Sequence, residues 1–159
     1  ALLQVQTGVL MGNPNLPDNK LGKDDFTIDL SMWHEIAAGI GSEINKEVAQ
    51  NQMTPSHVIL TDNWFPGSHL DYYYAMPNHT KLYILGQSTN QHNDMEINHE
   101  RGKIPLGSNA YYITTSHFFS APKEELLNDF KTVVGPEIIP IYKNNKKQRK
   151  YFFFISYVS

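Results

Sequence analysis

The sequence contains no cysteine in its 159 residues. This absence excludes disulfide bonds, thiolate nucleophiles and cysteine-ligated zinc, but it is neutral on cellular compartment, because exported bacterial domains often lack disulfides too. Charge is also scarce, since 18% of the residues are charged and the formal net charge is −3. A dedicated nucleic-acid-binding domain needs a positive field, so we do not expect nucleic acid as a partner.

Long apolar segments are missing as well. The longest apolar run, Tyr151 to Ile155, is far shorter than the roughly 20 residues that span a bilayer. No charged segment followed by an apolar one opens the chain, so no signal peptide is predicted. The first residue is Ala1 and not methionine, which predicts a processed protein or a piece cut from a longer one.

The residues that are present have the composition of a folded domain. Hydrophobic residues make up 40% of the chain and aromatic residues 12%. The length predicts one domain over residues 1–159 with a single core. Residues 1–26 contain scattered glycine, proline and polar residues without a period, which predicts an irregular lead-in.

A helical period follows the lead-in. Its apolar residues recur at the spacing of an amphipathic helix that ends near Gln50, and Asp29 or Ser31 is the predicted N-cap. They are Trp33, Ile36, Ala37, Ile40, Ile44 and Val48.

Residues 57–85 predict a strand, a helix and a second strand. The first strand is Val58–Thr61, and the second strand is Lys81 to Leu85. The helix between them runs from Ser68 to Met76, with Pro66, Gly67 and Ser68 as its start and Gly67 or Ser68 as its cap. Such a unit imposes parallel pairing with a right-handed crossover.

The second half predicts a third strand, Ala110 to Thr114, and a helix from Pro122 to about Val133. Two further strands, Ile138 to Tyr142 and Lys150 to Val158, are predicted to form a hairpin that turns at residues 144–146. The predicted fold class is therefore α/β: a layered sandwich with a mostly parallel sheet, helices packed on it and a C-terminal antiparallel hairpin.

Three residues directly after the first predicted strand are candidates for ligand binding. Asp62, Asn63 and Trp64 stand where α/β sheets form ligand crevices, at the carboxyl end of a strand. A carboxylate, an amide and an indole can bind a sugar through hydrogen bonds and stacking. The same three residues also suit a plain strand-to-helix turn, so both interpretations stay open.

Other chemical motifs are weak. The seven histidines form no H-x-H or H-x-x-x-H pair, and only Asp94 and Glu96 lie between His92 and His99 as further oxygen ligands, so no metal site is predicted. A serine, histidine and aspartate could be combined into a triad, but no G-x-S-x-G motif is present. A small hydrolase is therefore the least favoured function.

Basic residues are concentrated near the C-terminus. Five of the thirteen fall within eight residues, and no acidic residue follows Glu137. They are Lys143, Lys146, Lys147, Arg149 and Lys150. The cluster is typical either of a solvated turn that resists aggregation or of a surface that faces anionic lipid headgroups.

Several segments, taken in order, resemble a known family. They are residues 3–8 (LQVQTG), 29–35 (DLSMWHE), 59–64 (ILTDNW), 70–74 (LDYYY), the loop that begins at Gln91, and residues 107–113 (GSNAYYI). Together they resemble the soluble C-terminal region of bacterial membrane glycosyltransferases of the dolichyl-phosphate-mannose protein mannosyltransferase superfamily, which includes the lipid A aminoarabinose transferase.

The resemblance implies a membrane enzyme that moves a sugar from a polyprenyl-phosphate carrier to a protein or lipid acceptor. This chain would then be its domain on the periplasmic side of the bacterial inner membrane, with the membrane-embedded remainder of the polypeptide as its partner. The family's catalytic carboxylates belong to a loop of the membrane part, so the chain alone is expected to be inactive and to need no cofactor. The resemblance leaves open whether the parent enzyme needs a divalent metal.

The residues that match the family pattern are candidates for binding the ligand. They are Asp62, Asn63, Trp64, Tyr72 and Gln91. One departure is His92, which stands where the family often has an aromatic residue after the glutamine. The alternatives are a free-standing periplasmic carbohydrate-binding module and, less favoured, a small hydrolase.

Overall fold

The computed structural model describes residues 30–85, 102–118, 122, 124–143 and 146–158. The predictions for the lead-in (1–26), for the loop at Gln91 and for the turn residues 144–145 lie outside these ranges.

Helix α1 (Trp33–Ala49) follows the predicted period. Its buried residues are Trp33, Ile36, Ile40 and Ile44. Full burial of one such isoleucine contributes roughly 1.5–3 kcal/mol to folding. The predicted N-cap Ser31 is wrong, because Met32 occupies the capping position in a left-handed conformation (φ 65°) without a side-chain cap. The Met32 side chain is buried in the core, which offsets the cost of that backbone conformation.

Strand β1 (Val58–Thr61) is followed by helix α2 (Trp64–Leu70), which continues as a π-helical turn (Asp71–Ala75), and then by strand β2 (Lys81–Ile84). The predicted helix start at Ser68 is wrong by four residues. Pro66, predicted to lie just before the helix, is instead in its first turn, where a backbone N–H has no intrahelical partner. The N–H of Gly67 already donates to the carbonyl of Asn63, at 3.0 Å.

The remaining elements are β3 (Ala110–Thr115), a 3₁₀ turn (Ser116–Phe118), α3 (Glu124–Asn128), β4 (Thr132–Lys143) and β5 (Lys146–Val158). The prediction that a helix continues to Val133 is wrong. Thr132 pairs with Val158 and Val133 with Tyr157. β-Branched residues suit a strand, and this distant pairing outweighs the local helical pattern.

The strand order is β2-β1-β3-β5-β4. β1 pairs in parallel with β2 and with β3, and β5 pairs antiparallel with β3 and with β4. The predicted α/β fold class is confirmed by the helices and by the three parallel strands. The hairpin stays a prediction, because the described ranges do not include its turn.

The core has two layers, one on each face of the sheet. On one face the helices α1 and α2 cover side chains that include Ile59, Leu82 and Tyr111. On the other face Leu60 and Tyr112 pack with Leu126 and Phe130. Because both faces are covered, β1 and β3 are buried along their whole length.

Candidate functional site

The candidate site lies where β1 and β3 end side by side. The chain leaves β1 toward β2 on one side, and it leaves β3 toward β5 and β4 on the other. Neighbouring strands whose connections part in this way form the usual ligand crevice of an α/β sheet. Asp62, Asn63 and Trp64 follow β1 at this point, and the 3₁₀ turn follows β3.

A hydrogen bond joins the two connections. The Asn63 amide nitrogen Nδ2 donates to the carbonyl oxygen of Phe118 at 3.1 Å, and the hydroxyl of Thr114 donates to the same oxygen at 2.9 Å. Asn63 is at the N-cap position of α2, yet it makes no side-chain cap bond. Its amide therefore holds two loops together instead of capping the helix.

A chain of aromatic rings extends outward from this bond. The ring of Phe65 lies 5.3 Å from that of Phe118 and 4.6 Å from that of His69, measured between centroids. His69 stacks on the buried Trp33 at 4.6 Å and lies nearly parallel to Tyr73 at 6.3 Å. We call these five residues the ring cluster: Trp33, Phe65, His69, Tyr73 and Phe118.

The His69 ring is oriented by the backbone. Its Nδ1 lies 2.9 Å from the carbonyl oxygen of Phe65. Because a carbonyl only accepts hydrogen bonds, Nδ1 is the nitrogen that carries the proton. The bond fixes the ring plane, which lies 24° from the plane of Trp33 and 9° from that of Tyr73.

Two sequence-predicted aromatic residues stand at the edge of the ring cluster and are exposed. Trp64 is 42% exposed and touches Phe65 with ring centroids 5.6 Å apart, and Tyr72 is 68% exposed and touches Tyr73 at 5.0 Å. Trp64 is therefore not fully buried under the turn that follows β1.

The π-turn keeps the exposed residues in line. Trp64, Tyr72 and Met76 are all exposed and are separated by multiples of four residues. In an α-helix a step of four residues overshoots one turn by about 40°. A π-turn bonds residue i to i+5 and holds more residues per turn, so the same step falls short there. The two deviations oppose each other, and the three side chains form what we call the exposed stripe, roughly 18 Å long.

Sequence reasoning missed the ring cluster. Phe65, His69 and Tyr73 follow one another at intervals of four, which is a local signal for one helix face. Phe118 gives no such signal, because its contact with Asn63 spans 55 residues. Asp62 is half-buried beside the site, and Gln91 lies outside the described residues.

The five sequence-predicted basic residues fall at the last residue of β4, which is Lys143, and in the first five residues of β5. Thr115, the final residue of β3, pairs with Phe152. The basic residues therefore lie beyond the end of β3, at the same end of the sheet as the candidate site.

A hollow of about 520 Å³ lies at the amino end of β1 and β3, opposite the candidate site. It is lined by residues that include Thr54, His57 and Asn109. His57 Nδ1 donates to the Pro55 carbonyl oxygen at 3.0 Å, and burial lowers the pKa of this histidine. Its buried Nε2 has no hydrogen-bond partner among the described residues.

Two tyrosines of the core have raised pKa values. Burial raises the pKa of Tyr74 to about 12, and burial also raises the pKa of Tyr111, so both phenols stay protonated at neutral pH.

Within the described ranges, no three histidine or acidic side chains lie close enough together to hold a metal ion. No helix in the described part of the chain combines the length and hydrophobicity needed to cross a membrane.

Comparisons with known proteins add no assignment. The chain matches no protein-family model, no curated protein and no solved structure. The inferences below therefore rest on the exposed stripe, on the ring cluster behind it, on the position of the basic segment in β4 and β5, and on the sequence resemblance.

Proposed function

We propose that this chain is a carbohydrate-binding domain whose binding surface is the exposed stripe. The observation that carries the proposal is the exposure of Trp64 and Tyr72, at 42% and 68%, on a segment whose inner side is packed against the sheet. Large apolar side chains that are held together at a surface typically mark an interaction site.

Aromatic rings of this kind suit a sugar. An indole or phenol face stacks on the apolar C–H face of a pyranose, while its polar tip stays in water. Polar groups that can meet sugar hydroxyls flank the stripe. Ser68 lies between Trp64 and Tyr72, and its hydroxyl donates to the Trp64 carbonyl at 2.8 Å while its oxygen keeps acceptor capacity. Asp62, which is half-buried, lies two residues before the start of the stripe.

The wider role that we propose is that of a non-catalytic domain of a membrane glycosyltransferase. It would help to bind or position the acceptor of a sugar carried on polyprenyl phosphate, on the periplasmic side of the inner membrane. Support comes from the resemblance of residues 59–64 and 70–74 to that family, because these residues form β1, the turn after it and the outer segment of the candidate site.

Chemical-shift mapping tests the binding surface. Mannose, aminoarabinose and short mannose oligosaccharides are titrated into the labelled chain. Binding by a lone accessory domain is expected to be weak, with a dissociation constant of about 1 mM, which is about −4 kcal/mol. We expect the shifts to cluster at residues 62–76, and at 91–99 if the loop takes part. A cluster elsewhere would overturn the proposed surface.

Two variants and one control sharpen this test. Trp64→Ala and Tyr72→Ala should each weaken sugar binding by about tenfold or less, since one aromatic contact contributes about 0.5–1.5 kcal/mol. Leu106→Ala is the control, because Leu106 is fully exposed and lines the hollow at the opposite end. Equal binding by all three variants would contradict the proposal.

The full reading frame tests the membrane parent. A series of apolar segments of roughly 20 residues each before Ala1 supports it. A signal peptide directly before Ala1 would instead favour the free-standing carbohydrate-binding module. Turnover of esterase, phosphatase or glycosidase substrates by the purified chain would overturn the non-catalytic role.

A further inference from the structure

The paired strands β4 and β5 extend beyond the parallel part of the sheet. β3 ends at Thr115, which pairs with Phe152, while β5 begins six residues earlier, at Lys146. In this overhang β5 pairs with β4 alone, from Pro140↔Tyr151 to Lys143↔Lys146. At about 3.3 Å per residue the overhang is roughly 20 Å long.

The overhang carries a concentrated positive charge. All five basic residues of the segment 143–150 lie on it, and no acidic residue follows Glu137. Most other described lysines stand singly at the opposite end of the sheet. Lys81 opens β2, Lys103 precedes β3 and Lys131 precedes β4.

The position of the overhang follows from the strand directions. β1 and β3 are parallel, so their last residues, Thr61 and Thr115, lie at the same end of the sheet. β5 is antiparallel to β3, so its first residues project beyond that end. The basic overhang and Trp64, the first residue of the exposed stripe, therefore share one end of the molecule, and the stripe leads from there toward the start of β2.

We propose that this end of the molecule docks on an anionic phospholipid bilayer through the basic overhang, so that Trp64, the first residue of the exposed stripe, faces glycans attached to that surface. The docking step stands on charge and topology, whereas the glycan step rests on the proposed function. Each cation near an anionic surface raises the partition coefficient roughly fivefold, and this attraction is screened over about 10 Å at 0.1 M salt. The domain as a whole has a net charge of −3, so its other surfaces are repelled and one orientation is selected.

Vesicle co-sedimentation with the whole 159-residue chain tests the docking. The chain should associate with phosphatidylcholine vesicles that contain phosphatidylglycerol, more weakly as sodium chloride is raised, and not with pure phosphatidylcholine vesicles. The variant Lys146→Gln/Lys147→Gln/Lys150→Gln should lose about a hundredfold in partition coefficient at low salt.

A charge-matched control separates local from overall charge. The variant Lys81→Gln/Lys103→Gln/Lys131→Gln removes the same charge from the other end and should keep most of the binding. Equal loss in both variants, or no association of the unmodified chain, would overturn the docking. Full displacement by inorganic phosphate at matched ionic strength would also overturn it, because a free-phosphate site would then explain the cations.

Energy transfer tests the orientation. In a Trp33→Phe background, Trp64 is the single tryptophan and should transfer energy to dansyl-labelled headgroups when the chain is bound. Absence of transfer from bound protein would overturn the shared orientation. The titration with soluble sugars is done without vesicles, so it tests glycan binding alone. Co-sedimentation is done without sugar, so it tests docking alone, and the two failures can be distinguished.

Discussion

The side-chain amide of Asn63 donates a hydrogen bond to the carbonyl oxygen of Phe118, at 3.1 Å, across 55 residues of chain. The bond ties the connection after β1 to the connection after β3, and the Phe65 and Phe118 rings pack beside it. The candidate site therefore has a fixed floor, on which α2 presents Trp64.

Replacing Asn63 tests this tie. Asn63→Ala should lower the free energy of unfolding by about 1 kcal/mol, because Thr114 still donates to the same carbonyl oxygen. Asn63→Asp should cost more, since a carboxylate cannot donate. Urea unfolding measures the free energy of unfolding of both variants.

Asn78→Ala is the control. Asn78 also donates to a backbone carbonyl, that of Tyr74 at 2.8 Å, but this bond joins residues only four apart. The Asn78→Ala variant should leave the NMR chemical shift of the Phe118 amide unchanged, whereas both Asn63 variants should change it.

Two adjacent threonines should respond in opposite ways. The buried hydroxyl of Thr115 has no hydrogen-bond partner among the described residues, whereas that of Thr114 donates to the Phe118 carbonyl. Thr115→Val should be neutral or stabilising, because it removes a desolvated polar group, and Thr114→Val should cost about 1 kcal/mol. Thermal unfolding of the two variants decides, and a reversed order would contradict the assigned hydrogen bonds.

Gly67 should not tolerate a side chain. A Cβ there would lie 2.8 Å from Ile84 Cδ1 and 3.2 Å from Thr61 Cγ2. Gly67→Ala should lower the free energy of unfolding by about 1–3 kcal/mol, and Ile84→Val should partly rescue it by removing the nearest atom.

Gly41→Ala is the matched control for that variant. The closest atom to its new Cβ is Tyr74 Cε2 at 3.8 Å, an ordinary contact, and the position is inside α1. Alanine is a better helix former than glycine by roughly 1 kcal/mol, so this variant should be stabilised. Equal destabilisation of both variants in denaturant would show that α2 is not packed as closely on the sheet as described.

His57 should make stability depend on pH. Burial lowers its pKa in the folded protein below the ordinary value of about 6.5, so the unfolded chain binds the proton more readily. The contribution of the neutral His57 ring to the free energy of unfolding is complete above about pH 6.5. The free energy of unfolding falls as the pH drops through and below that value. His57→Phe keeps a ring against Tyr111 and should flatten this dependence. His34→Phe, at an exposed position, should leave it unchanged in unfolding measurements at several pH values.

The two tryptophans should report separately on the site. Trp33 is 3% exposed and Trp64 is 42% exposed. In Trp33→Phe, acrylamide should quench the remaining fluorescence strongly, and a bound oligosaccharide should reduce that quenching. In Trp64→Phe, quenching should be weak and should not respond to sugar. Strong quenching of Trp33 would contradict the burial of this residue.

Local sequence patterns were enough to predict α1 and β1, because the spacing of apolar residues within each segment shows which side chains are buried. The spacing of Trp33, Ile36, Ile40 and Ile44 is enough to define α1, because only a helix brings these side chains to one face. Val58–Thr61 was predicted with its exact bounds, because a short apolar run between polar turns fits a strand covered on both faces. Asp62, Asn63 and Trp64 were correctly positioned after it, since they follow β1 directly.

Residue types and their spacing alone thus determined the α/β class, the amphipathic helix and the concentration of positive charge near the C-terminus. Only the tertiary structure decided that Thr132 and Val133 form a strand with β5, that Asn63 binds Phe118, and that the basic residues share an end with Trp64. Each of these depends on contacts between residues far apart in the chain. Their energies come from pairing and packing partners that no local window of sequence contains, so they override local propensity without leaving a local signal.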